Sequence, residues 1–125
     1  LEQTIKKLGP EFIQLTGEDG FAFEFNKRGG VGIISVTANI APKLCSDFQK
    51  YSKSKSDNEI KEAERIDQLL QPLHKCLFIE SNPAPVKYAA KILGLCEDDV
   101  RLPLVKIKPE TQKVVKKALV HAKLI

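Results

Sequence analysis

Residues 29–36 have the sequence Gly29-Gly30-Val31-Gly32-Ile33-Ile34-Ser35-Val36, a glycine pair followed by a nearly continuous apolar run. The run is rich in β-branched side chains, which favour strands. It predicts a strand buried on both faces of a parallel sheet, because a strand with one solvent-exposed face would alternate polar and apolar residues. We therefore expect an α/β fold with a strand near 31–36.

A second strand is predicted near 11–16, where an apolar stretch precedes the turn signal Gly17-Glu18-Asp19-Gly20. Apolar residues at helical spacing occur before this strand, over 1–8, and again between the two strands. The first third of the chain therefore has the order helix, strand, helix, strand. Two parallel strands need a crossover connection of this kind, so the pattern predicts a βα repeat.

After residue 39 the strand signals end and helical spacing dominates. Proline is favoured at the first helical position, which predicts helices that begin at Pro42, Pro85 and Pro109. Ser56 and Glu59 have the spacing of a capping box at the start of a longer helix, which Pro72 is expected to kink or divide. The residues expected on buried faces are Ile60, Ala63, Ile66, Leu70, Leu73 and Leu77 in that helix, and Val114, Val115, Ala118, Leu119 and Ala122 in the last one.

The composition is that of one globular domain. The 125 residues are 42% apolar and 29% charged, with 20 Lys and Arg against 16 Asp and Glu, a net charge of +4. No apolar run reaches the roughly 18–20 residues that span a bilayer, and no signal-peptide pattern opens the chain, so we expect no membrane partner and no secretion. The chain has no Met and begins with Leu1, which predicts that it belongs to a longer polypeptide.

The three cysteines, Cys45, Cys76 and Cys96, do not form a recognisable framework. An odd number without a CxxC spacing fits neither a disulfide scaffold nor a zinc site. His74 is close to Cys76 in sequence, but a third and a fourth ligand are lacking. We expect reduced thiols in a cytoplasmic protein, with no metal site and no cofactor.

Two patterns near the strands have both a chemical and a structural interpretation. Gly30-Val31-Gly32 contains part of a dinucleotide-binding loop, but it precedes a strand instead of opening a helix, so nucleotide binding is not favoured. Glu18 and Asp19 follow a strand and could form an acid/base pair. Carboxylates at the start of a helix also cap free amides, and this capping interpretation is favoured.

Lysines dominate the end of the chain, but they do not indicate a catalytic or nucleic-acid-binding surface. A lysine stripe can neutralise phosphates, yet no aromatic residue lies among these lysines, so a solvated face is favoured and nucleic acid is not an expected partner. A Schiff-base lysine must be desolvated, whereas all 17 lysines lie outside the two predicted strands. The stripe comprises Lys106, Lys108, Lys113, Lys116, Lys117 and Lys123.

Several segments, taken in order, are similar to one known family. Residues 12–19 and 29–39 are followed by Pro72-Leu73-His74, by Asn82-Pro83-Ala84-Pro85-Val86-Lys87, by Leu93-Gly94-Leu95 and by Arg101-Leu102-Pro103-Leu104. Together they resemble the C-terminal part of the dihydrodipicolinate synthase family, which belongs to the pyruvate-dependent class I aldolases. The resemblance extends over essentially all 125 residues.

The resemblance implies a (β/α)8 TIM barrel. Residues 1–39 would be the C-terminal part of the barrel, that is, its last two βα units with strands near 11–16 and 31–36. Residues 40–125 would form a C-terminal helical region. Taken alone, the chain is expected to be mostly helical.

The resemblance also implies a lyase of lysine and diaminopimelate biosynthesis, in which pyruvate forms a Schiff base with a lysine and condenses with aspartate semialdehyde. That lysine and the relay tyrosine and threonine would lie upstream, so we expect no catalytic residue in this chain and no activity of the chain alone. Two pyruvate-binding positions of the family have counterparts in this sequence, Ile34 and Gly17. The main chain of Ile34 would lie against bound pyruvate, and Gly17 would line the same pocket.

The sequence alone leaves several alternatives to this assignment open. Gly17 could serve only the turn, and the Ile34 side chain could fill only the barrel core. The enzyme could be another pyruvate aldolase, such as an N-acetylneuraminate lyase or a keto-deoxy sugar acid aldolase. A non-catalytic oligomerisation or binding module is the candidate from a different class. For the family member we expect a homo-oligomer, with the parent enzyme a tetramer.

Overall fold

A parallel two-stranded sheet is followed by a bundle of helices in the computed structural model, which describes residues 2–125. The predicted contribution of Leu1 to the first helix lies outside these residues. The order of elements confirms two early strands followed by helices. The elements are α1 (Glu2–Leu8), β1 (Leu15–Thr16), α2 (Ala22–Lys27), β2 (Gly32–Ile33), α3 (Pro42–Tyr51), α4 (Asp57–Cys76), α5 (Ala84–Ile92) and α6 (Pro109–His121), with 3₁₀ turns at Asp19–Phe21 and Thr37–Asn39.

The two strands pair in parallel, with Leu15 opposite Gly32 and Thr16 opposite Ile33. The paired segments are shorter than the stretches 11–16 and 31–36. Within residues 2–125 each strand has a single neighbour, so one edge of each strand has no partner for its backbone groups. The expectation that β2 is covered on both faces is wrong for the described chain, because Val31 and Ile34 are exposed.

Local capping signals place most helix ends correctly. Pro42 and Pro109 lie in the first turns of α3 and α6. Gly94 has a φ of 72°, and the Leu95 amide donates to the Ala90 carbonyl at 2.9 Å, which closes α5 as a Schellman motif. Such ends depend on neighbouring residues in the chain, so sequence is sufficient to locate them.

The start of α4 differs from the predicted capping box. Ser56 is the N-cap residue, but its side chain makes no capping hydrogen bond. Instead the Ser54 hydroxyl donates to the Glu59 carboxylate and accepts from the Ser56 amide. Pro72 does not divide α4, which is continuous over its 20 residues.

The core is centred on α4, which packs against α3 and α6. The predicted stripe on α4 is confirmed for Ala63, Ile66, Leu70 and Leu73, which are almost completely buried, whereas Ile60 is half-buried. On α6 one expectation is wrong. Val114 is 45% exposed, because it lies about 100° around the helix from the buried Val115. Within residues 2–125 none of the helices has the length and apolar character needed to cross a membrane.

The cysteines are free thiols in two different environments. Cys45 and Cys76 are buried, and this burial raises the pKa of each thiol to about 11. Cys96 is exposed. The two buried thiols are therefore almost entirely protonated near neutral pH and behave as small apolar side chains.

One buried carboxylate bridges the end of α5 and the connector that leads into α6. The Asp98 side chain is 10% exposed and accepts from Lys91 Nζ at 2.8 Å and from Lys106 Nζ at 2.9 Å. These two ammonium groups lower the pKa of Asp98 to about 2. The charged form of Asp98 therefore joins the end of α5 to the segment that leads into α6.

Substituting Asp98→Asn should destabilise the chain in a pH-dependent manner. The folded-state pKa of Asp98 is below its ordinary value near 4, so its contribution to stability is present above about pH 4 and is lost as the pH falls towards 2. Urea denaturation should give a lower midpoint for the variant at pH 7, and the difference should narrow below pH 4. Glu64→Gln, an exposed site on α4, is the control. A difference that is constant from pH 7 to pH 2.5 would contradict this role.

Candidate functional site

Gly17 and Ile34, the two residues expected to bind pyruvate, lie side by side. Each follows directly after the paired segment of its strand, and continuing the register by one step places Gly17 opposite Ile34. The Ile34 amide donates to the Thr16 carbonyl at 2.9 Å. Both residues are therefore at the carboxyl ends of neighbouring parallel strands, which is the edge where α/β barrels hold their active sites.

Gly17 has no structural reason, within residues 2–125, to be glycine. Its φ is outside the left-handed region, and a β-carbon added there would meet no atom within 4 Å. A turn that merely required glycine would have a positive φ at this position. The absent side chain instead leaves open space at the end of β1.

Ile34 does not fill a core in the described chain. Its side chain is 72% exposed, because a single strand neighbours it and leaves the outer side uncovered. The expectation that this side chain packs in a barrel interior is therefore not met by residues 2–125 alone. The backbone of Ile34 is nevertheless well fixed, since it follows the paired residue Ile33 and bonds to Thr16.

The adjacent carboxylates of Glu18 and Asp19 bind different groups. The favoured capping interpretation is confirmed for Glu18, whereas Asp19 does not cap the turn that it opens. A Glu18 carboxylate oxygen accepts from the Gly20 amide at 3.3 Å at the start of the first 3₁₀ turn. Asp19 is buried and accepts from the Ser35 hydroxyl, from the Val36 amide at 2.9 Å and from the Thr37 amide at 3.3 Å. Because the two groups bind different partners, they do not form a shared acid/base pair.

A buried histidine extends this set of contacts to α4. His74 Nδ1 lies 2.8 Å from the Thr37 hydroxyl. Burial lowers the pKa of His74, although the nearby carboxylates of Asp19 and Asp67 oppose this effect. The imidazole is therefore neutral near pH 7. Sequence analysis did not identify this contact, because Thr37 and His74 are 37 positions apart and no motif joins them.

Gly30 has a packing role and not a nucleotide-binding role. A β-carbon at Gly30 would lie 2.1 Å from the Phe25 ring and 2.8 Å from the Phe25 carbonyl oxygen. Only glycine fits against α2 at this position. The glycine pattern that resembles part of a dinucleotide loop is therefore explained by helix–strand packing.

The described lysines do not include a buried amine. Of the 17 lysines, Lys87 is half-buried and the other 16 are exposed, including those of α6. Lys87 Nζ donates to the Asp99 carbonyl. An exposed ammonium keeps its proton near pH 7 and is a poor nucleophile. The lysine pattern agrees with the favoured solvated face, and residues 2–125 offer no desolvated lysine for Schiff-base chemistry.

An open pocket of about 390 Å³ lies beside the second 3₁₀ turn. Its lining includes Val36, Asn39, Asn82, Lys87 and Cys96. Gly17 and Ile34 do not line this pocket. The strand ends themselves form an open surface in residues 2–125, so additional protein would be required to enclose a substrate over them.

Sequence comparison relates nearly the whole chain to one family. Residues 1–122 match the Dihydrodipicolinate synthetase family. A 4-hydroxy-tetrahydrodipicolinate synthase of Pelagibacter ubique is 62% identical over 125 residues, which are 100% of this chain and 43% of that protein. The enzyme of the same name from Parvibaculum lavamentivorans is 49% identical over 120 residues, which are 96% of this chain and 40% of that protein. The chain thus spans about two-fifths of the length of these relatives.

Solved structures of dihydrodipicolinate synthases are similar to this chain in fold. A dihydrodipicolinate synthase from Acinetobacter baumannii, complexed with pyruvate, matches with a TM-score of 0.89 at 35% identity over 99% of this chain and 42% of that chain. The 4-hydroxy-tetrahydrodipicolinate synthase of Methylacidiphilum fumariolicum gives a TM-score of 0.89 at 34% identity over 97% and 39%. The expected fold, the last two βα units of a (β/α)8 barrel followed by a helical region, is confirmed.

Substituting Gly17→Ala should not destabilise the 125-residue chain. The β-carbon enters open space at an ordinary φ, so the free energy of unfolding should stay the same or rise by up to about 1 kcal/mol as the unfolded chain loses freedom. Gly30→Ala is the matched control and should cost about 2 kcal/mol or more, because its β-carbon overlaps Phe25. Urea denaturation followed by circular dichroism compares the two. Equal losses of stability would mean that Gly17 also has a packing role.

Proposed function

The chain belongs to the dihydrodipicolinate synthetase family, and from this premise we propose that it supplies the last two strands and the C-terminal helical region of an enzyme that condenses pyruvate with aspartate semialdehyde. The reaction is a step of lysine and diaminopimelate biosynthesis. In the proposed mechanism pyruvate forms a Schiff base with a lysine that is not among the residues of this chain. The derived enamine then attacks the aldehyde.

One observation supports this proposal most strongly. Gly17 and Ile34, the two positions that correspond to the family's pyruvate pocket, are adjacent at the carboxyl edge of the parallel pair, with open space above Gly17. Catalytic and binding groups of (β/α)8 enzymes gather at this edge. The related Acinetobacter baumannii enzyme is complexed with pyruvate.

The role of this chain in the reaction is to bind and orient pyruvate. Ile34 would present its main chain to the keto acid, while Gly17 would allow the substrate to approach the backbone closely. A lysine amine in a desolvated site would provide the nucleophile, whereas residues 2–125 contain no buried lysine. Residues 1–125 by themselves are therefore expected to be inactive.

We also propose that the enzyme is a cytoplasmic homo-oligomer, with the parent enzyme a tetramer. The free thiols agree with a reducing compartment. Five large apolar side chains are exposed on and beside the two strands, and the strand edges have unpaired backbone groups, which favours association. These side chains are Phe12, Ile13, Leu15, Val31 and Ile34.

A segment exchange tests the proposed reaction. The 125-residue segment of the Pelagibacter ubique enzyme that matches this chain is replaced by this chain, at 62% identity. We expect the exchanged enzyme to condense pyruvate with aspartate semialdehyde, because the strand ends would complete the same pocket. Borohydride with pyruvate should add one reduced pyruvate to it, as measured by intact mass.

The control is this 125-residue chain alone, treated with the same reagents, which should stay unmodified. The proposal fails if a correctly folded exchanged enzyme traps no pyruvate, or if the isolated chain acquires a pyruvate adduct on any lysine. Faster cleavage of N-acetylneuraminate than condensation with aspartate semialdehyde would assign the segment to the lyase branch instead.

Association of the isolated chain tests the surface around the strands. Light scattering should give a mass above 13.9 kDa for the 125-residue chain. Ile13→Glu, at a side chain that is 73% exposed beside β1, should shift the mass towards that of the monomer. Leu102→Glu, at a side chain that is 87% exposed in the connector before α6, is the control and should leave the mass unchanged. A monodisperse monomer of the unsubstituted chain would contradict the expected association.

A further inference from the structure

The Asp19 carboxylate connects the loops that follow the two strands. Asp19 is 3% exposed and begins the 3₁₀ turn after Gly17 and Glu18. It accepts hydrogen bonds from three consecutive residues, Ser35, Val36 and Thr37, which come directly after Ile34. Two of these donors are backbone amides. The carboxylate therefore fixes the course of the main chain at the point where β2 ends.

The same segment is held by two further contacts. The Ser35 hydroxyl, which donates to Asp19, also accepts from the Ala38 amide at 2.9 Å. The Thr37 hydroxyl is paired with His74 Nδ1 on α4 at 2.8 Å. Thr37 is completely buried, so its contact with His74 is shielded from water. The loop after Ile34 is thus anchored both to the end of β1 and to the central helix.

Ile34 lies between two fixed points of the backbone. On one side Ile33 is paired with Thr16, and the Ile34 amide bonds to the Thr16 carbonyl. On the other side Ser35 is bonded to Asp19. The orientation of the Ile34 carbonyl is set by the torsion angles between these points. Loss of the Asp19 carboxylate would free one of them, while the pairing of β1 with β2 would remain.

We propose that Asp19 is a positioning residue for pyruvate binding, which acts by fixing the Ile34 main chain against the keto acid. This inference rests on the proposed function, because it assigns a role in the same pocket. Asp19 does not itself contact the substrate in this proposal, since all of its hydrogen bonds are directed to residues 35–37. Its role is to keep the binding backbone in the productive geometry.

Steady-state kinetics of the exchanged Pelagibacter ubique enzyme tests this role. Asp19→Asn keeps the size of the side chain but replaces the charged acceptor with a neutral amide. Its NH₂ group can no longer accept from Ser35, and its oxygen accepts the Val36 and Thr37 amides more weakly than a carboxylate does. We expect the KM for pyruvate to rise by roughly tenfold, the effect of weakening one hydrogen bond to a charged group. The KM for aspartate semialdehyde and the kcat at saturating pyruvate should change by less than about twofold.

Two other variants separate positioning from general stability. Ser35→Ala removes one of the three hydrogen bonds to Asp19 and leaves both amide bonds, so a smaller rise in the KM for pyruvate is expected. Asp98→Asn alters another buried carboxylate, in the connector before α6, and should lower stability without changing the KM for pyruvate. If Asp19→Asn does not fold, the KM for pyruvate of Ser35→Ala decides whether Asp19 is a positioning residue.

The outcomes distinguish the two proposals. If the exchanged enzyme with Asp19 intact is inactive, the proposed function fails. If it is active and both Asp19→Asn and Ser35→Ala leave the KM for pyruvate unchanged, the positioning role is wrong while the function stands. A fall in the active fraction, measured by borohydride trapping, with an unchanged KM would likewise assign Asp19 a purely structural role.

Discussion

Asp19 keeps a carboxylate in the interior of the molecule, and the arrangement of both strand ends depends on how that charge is satisfied. A buried charge is tolerated when hydrogen bonds replace the water it has lost. Here the replacement comes from Ser35, Val36 and Thr37, which follow the other strand. Satisfying one side chain thereby requires two distant loops to lie together. The adjacent positions of Gly17 and Ile34 follow from this requirement and from the pairing of β1 with β2.

The helical region provides the rigid body to which this edge is attached. α4 is the centre of the apolar core, and His74, on the same helix, contacts Thr37. The two strands contribute little to that core, since Leu15 is exposed and Ile33 is only partly buried where it packs against the core. The helical region and the strands differ in how completely they are covered by other protein. The helices bury their apolar faces against one another within residues 2–125, whereas the outer strand edges have no partner there.

Features determined by neighbouring residues could be predicted from the sequence, and features determined by distant partners could not. The proline starts of α3 and α6 depend on local geometry, and the sequence predicts them correctly. The Ser56–Glu59 capping box was wrong, because Ser54 competes for the same carboxylate. The extent of strand pairing depends on the strands that lie alongside and not on the local strand preference of the residues. The contacts from Asp19 to Thr37 and from Thr37 to His74 span 18 and 37 positions and have no sequence signature.

Gly17 and Gly30 illustrate how a structure can separate packing from function. Both glycines flank predicted strands, and the sequence alone gives no means to tell them apart. At Gly30 the Phe25 ring occupies the space of a side chain, so the requirement for glycine is fully explained by the fold. At Gly17 neither the torsion angle nor any neighbouring atom requires glycine. Because no contact within residues 2–125 requires glycine at Gly17, the missing side chain is best explained by a group that approaches this backbone from outside the chain. We propose that this approaching group is the substrate, because the binding groups of (β/α)8 enzymes gather at this edge of the barrel.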